Sequence, residues 1–186
     1  MTEYTTIKAG NLLAAEPFML DPNFKRSVIL LCEHHPSGTL GFILNKPIRM
    51  TINQLIVDFP DFGAEVYYGG PVQTDTVHFI HNVGDLLEGS QKVAEGIYWG
   101  GDFEQLKFLI QSGMITARNI RFFVGYSGWS SGQIDDELTS RSWVVSKSDE
   151  NYIFNTKYSK LWERVLHNKG NVFSVIAKVP ETLCWS

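Results

Sequence analysis

The 186-residue chain is 44% hydrophobic, 13% aromatic and 19% charged, with a formal net charge of −4. Those proportions exclude a disordered chain and supply the core of one domain, taken to span residues 1–186. The acidic balance also argues against direct nucleic-acid binding through a phosphate backbone.

Residues 27–33, SVILLCE, are apolar on both faces, as in a strand covered on both sides. Pro36-Ser37-Gly38 turns the chain into a second strand at 40–44, so 27–44 reads as a hairpin. Thr51, with Gln54 three residues on, predicts the capped start of a short helix that Pro60 limits. Strands are predicted at 65–68, 76–81 and 92–99. Asp102 opens the clearest helix, with Phe103, Leu106, Leu109 and Ile110 on one face and Gly113 at its end. A strand over 119–126 follows and places Ile120, Phe122, Val124 and Tyr126 on one side. A helix near 131–139 and a strand over 143–145 come next. Tyr158, Leu161, Trp162, Val165 and Leu166 then make an amphipathic helix. Residues 172–179 fit strand or helix, with helix preferred. Hairpins and irregular alternation favour an α+β fold on a mixed, largely antiparallel sheet.

Gly128-Trp129-Ser130-Ser131-Gly132 is a literal G-x-S-x-G between a predicted strand and helix. That is the setting of an esterase nucleophile, and Asp149 and His167 follow in the matching order. Three features oppose this chemistry. Ser130 with Gln133 forms a capping-box pattern, in which the hydroxyl accepts from the Gln133 amide and the Gln133 side chain reaches back. Asp135, Asp136 and Glu137 crowd the helix start, where they would repel a developing oxyanion. His167 sits on a helix rich in Lys and Arg, a poor setting for a base. The glycines then serve positive φ and close backbone approach.

His78 and His81 are three apart on a predicted strand, so they face opposite ways and share no metal. The predicted hairpin would bring Glu33, His34 and Asn45 together. Tyr67-Tyr68-Gly69-Gly70-Pro71 runs from strand into turn and lacks the phosphate-loop pattern. Lys157, Lys160, Arg164, Lys169 and Lys178, against the acid Glu163, read as a solvated helix face. MTEYTTIKAG lacks the apolar core of a secretory signal, and no run approaches the roughly 18 apolar residues that span a bilayer. Cys32 reads as a small buried hydrophobe, far in sequence from Cys184, and a cytoplasmic location is expected.

Four stretches carry a resemblance: GNLLAAEPFMLDPNFKRSVILLCEH, GTLGFILNKPI, YYGGPV, and GYSGWSSGQIDDEL with a following SW. Together, from residue 10 to 143, they resemble the AlgH/YqgE family of bacterial proteins. The resemblance implies a mixed sheet with a small β-barrel-like core flanked by helices. It implies no established biochemical activity. A transcriptional-regulator label attaches to the family, yet no helix-turn-helix or basic recognition helix is visible. The family's pattern maps here onto Glu33, His34, Gly41, Asn45, Pro47, Gly69, Gly70, Pro71, Gly125, Tyr126, Gly128, Trp129, Gly132, Gln133 and Glu137. It tolerates other residues at Ser127, Ser130 and Ser131, which counts against a serine nucleophile.

The expected function is a cytosolic binding or regulatory protein with no catalysis, cofactor or metal of its own. Its candidate surface comprises Glu33, His34, Asn45, Gly69, Gly70, Tyr126, Gly128, Trp129, Gln133 and Glu137. Tyr126 and Trp129 would supply aromatic contact, and Gln133 and Glu137 orienting polar groups, for an unidentified protein or small-molecule partner. Two readings stay beside it: a hydrolase using the Gly/Ser-rich turn or a Glu33/His34 acid–base pair, and a regulator acting through partners.

Overall fold

A computed structural model describes residues 6–180 of the chain; Cys184 lies outside them. In order, the strands are β1 (Asn11–Ala15), β2 (Val28–His35), β3 (Gly38–Ile43) and β4 (Pro47–Thr51), followed by helix α1 (Ile52–Leu55). Next come β5 (Glu65–Tyr68), β6 (Val72–His81), β7 (Gln91–Ala94), β8 (Ile97–Trp99) and α2 (Phe103–Gln111). The chain continues through β9 (Ile120–Ser130), α3 (Gln133–Thr139) and β10 (Trp143–Lys147). A π-helical turn at Asn151–Asn155 then leads into α4 (Tyr158–His167) and α5 (Asn171–Ala177). The fold is α+β. One ten-stranded sheet in the order β10-β1-β2-β3-β9-β6-β8-β7, with β4 and β5 as a branch, curls into a half-barrel.

The two-sided burial expected of β2 is present. Val28 to Cys32 are at most 1% exposed. Val28 and Leu30 pack with Leu12, Ala14 and the α4 residues Leu161, Trp162, Val165 and Leu166. Ile29 and Leu31 face the other way, toward Trp129, Ile134 and Trp143. A third cluster gathers Phe122, Leu106, Leu109 and Ile110 under α2. Burying such side chains, at about 1.5–3 kcal/mol each, is what sets the register of these strands.

Several local expectations hold in detail. Asp102 caps α2 by accepting from the Gln105 amide at 2.7 Å, and Gly113 follows the helix at φ +73°. Gln54 accepts from the Thr51 amide at 2.9 Å, so the side chain does reach back at α1. Residues 172–179 fall mostly in α5, as preferred.

Other expectations are corrected. The single strand at 92–99 is a hairpin, β7 and β8, because Gly96 takes φ +67° and turns the chain. β1 and β4 were not anticipated: β1 is buried at every position and β4 at none, so neither shows the alternation of a half-buried strand. β9 runs on to Ser130, and its facing changes midway. Ile120, Phe122 and Val124 share one cluster, whereas Tyr126 joins Phe123 in another. Gly125, at φ +66°, makes that switch.

Candidate functional site

The glycines of the predicted site solve a crossing problem. Residues 122–124 of β9 pair with β5 in parallel and with β6 in antiparallel fashion, so β5 and β6 occupy its two edges. The three residues Gly69-Gly70-Pro71 must therefore carry the chain across β9. They do so at Gly125 and Tyr126, backbone against backbone. A Cβ on Gly70 would lie 2.2 Å from the Tyr126 carbonyl carbon, and one on Gly125 would lie 2.4 Å from the Gly70 oxygen. The buried Ser127 hydroxyl donates to the Gly69 carbonyl at 3.0 Å and pins the crossing. Glycine is needed here because no side chain fits between the two backbones.

Beyond the crossing, β9 delivers the G-x-S-x-G segment to α3. Glu137, one turn into that helix from Gln133, holds the segment. One of its oxygens, Oε2, accepts from the Trp129 indole at 2.9 Å and from the Trp143 indole at 2.7 Å. Its Oε1 accepts from Gln133 Nε2 at 3.1 Å. Gln133 Oε1 in turn accepts from the Ser130 amide at 3.0 Å and from the Ser130 hydroxyl at 3.3 Å. Half of the expected capping box is therefore correct. The other half is not: Gly132, at φ +76°, is the N-cap in place of Ser130, and the Ser130 hydroxyl donates to the Gln133 side chain instead of accepting from its amide. Among the described residues, no imidazole is a hydrogen-bond partner of Ser130.

Trp129 is 5% exposed and Trp143 is 6% exposed. The Trp129 indole N–H is thus turned inward; Glu137 orients both indoles, and Gln133 braces Glu137 and Ser130. Trp143 was missed as a partner of this cluster. Its signal was present in the SW that follows the motif, since an indole N–H buried beside a carboxylate finds it as acceptor.

The clamp backs one wall of a cleft of about 450 Å³ at the closed end of the β2–β3 hairpin. Of the expected surface, Glu33, Tyr126, Gly128 and Trp129 line it, together with His35, Ser37, Gly38, Thr39, Leu40 and Val72. Strand alternation explains which hairpin residues take part. Glu33 and His35 line the cleft, while His34 between them directs Nδ1 at the Thr39 hydroxyl, 2.7 Å away. Glu33 and His34 thus form no acid–base pair. Asn45 does not converge with them. It sits at the open end of the hairpin, where its side chain accepts from the Val28 amide and donates to the Arg26 carbonyl, both at 2.9 Å.

His78 and His81 face different surroundings, as their spacing implies. His78 packs on Phe42, with 5.2 Å between ring centroids, and edge-on to Tyr126 at 6.0 Å. His81 is fully buried, with Nε2 placed 2.8 Å from the Gly100 carbonyl and Nδ1 accepting from the Val83 amide. Burial lowers the pKa of both imidazoles below the ordinary value. Burial raises the Cys32 thiol well above its ordinary range, so this cysteine is a packing residue and no nucleophile. Among the described residues, no three His, Cys, Asp or Glu side chains gather as a metal set, and no helix is long and apolar enough to cross a membrane. Asp149 and His167, the formal partners for a serine nucleophile, are placed elsewhere. Asp149 accepts from the Tyr152 amide, and His167 ends α4, which packs on β1.

Comparison with known proteins agrees with this architecture. The AlgH-like family model matches residues 12–174. A UPF0301 protein of Chlorobaculum parvum is 43% identical over 179 residues, covering 96% of each chain. A UPF0301 protein of Chlorobium luteolum is 42% identical, covering 96% of this chain and 95% of its own. The solution structure of the AlgH protein from Pseudomonas aeruginosa superposes with a TM-score of 0.71 at 26% identity, over 97% of this chain and 99% of that one. A crystal structure of a Corynebacterium diphtheriae protein shares the fold, with a TM-score of 0.78 at 21% identity over 94% and 93% of the two chains. The chain belongs to the AlgH-like family of UPF0301 proteins.

Proposed function

We propose that this protein is a cytosolic binding module that receives a partner in the cleft at the hairpin end and breaks no bonds in it. The observation that supports this reading most is the Glu137 clamp. It occupies the Trp129 indole N–H and the Ser130 amide and hydroxyl in holding a wall in place. What remains for a partner is an apolar floor of Leu40, Val72 and the half-buried Tyr126, rimmed by Glu33, His35 and Ser37. Such a surface suits a short peptide segment or a small molecule with both apolar and polar parts. A regulatory role would then operate through the partner and not through DNA, since no basic recognition helix lines the cleft.

The test is mass spectrometry of material that co-purifies with the native protein, repeated on Tyr126→Ala and on His35→Ala. The cleft is supported if a specific molecule is captured by the parent and lost from variants that remain folded. Undiminished capture by both variants removes the cleft from the role.

A further inference from the structure

One edge of β9 is paired only as far as Tyr126. Up to that residue β6 lies along it, and Val72 opposite Tyr126 is the last pair. Beyond it, residues 127–130 pair with β3. β3 lies on the β5 side, since the Ile43 amide donates to the Gly69 carbonyl at 2.9 Å and the Gly69 amide to the Val124 carbonyl at 2.8 Å. Among the described residues, no strand covers the opposite edge of 128–130.

The direction of backbone hydrogen bonds alternates along such a strand. The Ser130 amide donates to Gln133 Oε1 at 3.0 Å, and so turns away from β3. The β3–β9 register runs without a shift, so Gly128, two residues earlier, turns the same way. The exposed Gly128 therefore presents its N–H and C=O to the open edge, within the cleft of about 450 Å³. A free backbone donor and acceptor beside a concave surface form a template for strand addition.

The sheet also aligns side chains toward that edge. Glu33 lies opposite Leu40, and Leu40 opposite Gly128, so the three make one row on the cleft face. Gly128 leaves this row open, because a Cβ there would come within 3.2 Å of the Tyr126 ring. Glu33 forms no ion pair among the described residues, and no lysine or arginine lines the cleft. Its carboxylate is the uncompensated charge of the site.

We infer that the partner is an extended peptide that adds as a strand beside Gly128, lays an apolar side chain on Tyr126 and Val72, and directs a basic one to Glu33. This deepens the binding reading of the cleft and rests on it. Glu33 is three strand spacings of about 4.8 Å from the added strand, a gap that an arginine and a glutamate span together. The guanidinium fork also matches a carboxylate.

The experiment is an amide NMR titration of the full chain with a capped hexapeptide alternating valine and arginine. Two forms of it, N-methylated at alternate amides, each block one edge of the added strand. The unmethylated peptide and one methylated form are expected to give saturable shifts centred on the Gly128, Leu40 and Glu33 amides. The other form should bind at least tenfold more weakly, because only one edge faces β9. Glu33→Gln, which keeps the side-chain shape, should weaken the peptide at least threefold. Equal binding of both methylated forms, no saturable shift, or unchanged affinity in Glu33→Gln would each overturn the proposal. Where no peptide saturates but a molecule still co-purifies and is lost from Tyr126→Ala, strand addition falls and the cleft reading stands. Where nothing co-purifies either, both fall.

Discussion

Trp129 and Trp143 meet edge to face, with ring centroids 6.1 Å apart, and both indoles donate to the same Glu137 oxygen. One residue comes from the end of β9 and the other from the start of β10, so the carboxylate ties together two strands that are not neighbours in the sheet. Removing that acceptor leaves two buried N–H groups without a partner. Glu137→Ala is therefore expected to cost about 2–4 kcal/mol of stability, and Glu137→Gln, which keeps an oxygen, clearly less. Denaturant unfolding of the two variants checks the order.

The crossing at Gly69–Gly70 makes a sharper steric prediction. Gly70→Ala drives a methyl group into the Tyr126 backbone and should cost at least about 2 kcal/mol or abolish folding. Gly63→Ala, where an added Cβ meets nothing within 4 Å, should stay within about 0.5 kcal/mol of the parent. Equal thermal midpoints for the two variants would refute the backbone crossing as the reason for glycine.

The buried imidazoles predict how stability follows pH. His78 and His81 have folded-state pKa values below the ordinary 6.5 because burial disfavours their charged forms. The unfolded chain therefore takes up protons first as pH falls. Stability should be fully present above about pH 6.5 and decline below it. Chemical denaturation between about pH 7.5 and 5.5 measures this. His81→Gln should flatten part of the decline, and a parent whose stability rises over that range would contradict it.

Much of this fold is visible in residue pattern because its signals are local. Asp102 and Gly113 punctuate α2 by backbone chemistry that acts within one turn, and β2 is apolar without interruption because both faces are covered. What escaped reading depends on partners distant in sequence. Tyr126 departs from the face of Phe122 only because Gly125 meets Gly70, more than fifty residues earlier. Likewise Gln133 and Glu137 read as ligand contacts until Trp143 is placed beside them. Asn45 looked convergent with Glu33 because a hairpin joins their strands, yet the two residues sit at its opposite ends.

Ser130→Ala separates structural from chemical use of the motif. The Ser130 amide keeps its bond to Gln133, so the loss should stay below about 1 kcal/mol, with the Trp129 environment unchanged in fluorescence.

The most direct single measurement is turnover of ester, phosphate and peptide substrate panels by the purified parent, with Ser130→Ala and His34→Ala run alongside. The predicted result is no hydrolysis above buffer for any of the three proteins. Hydrolysis by the parent that disappears in Ser130→Ala would contradict a protein that only binds.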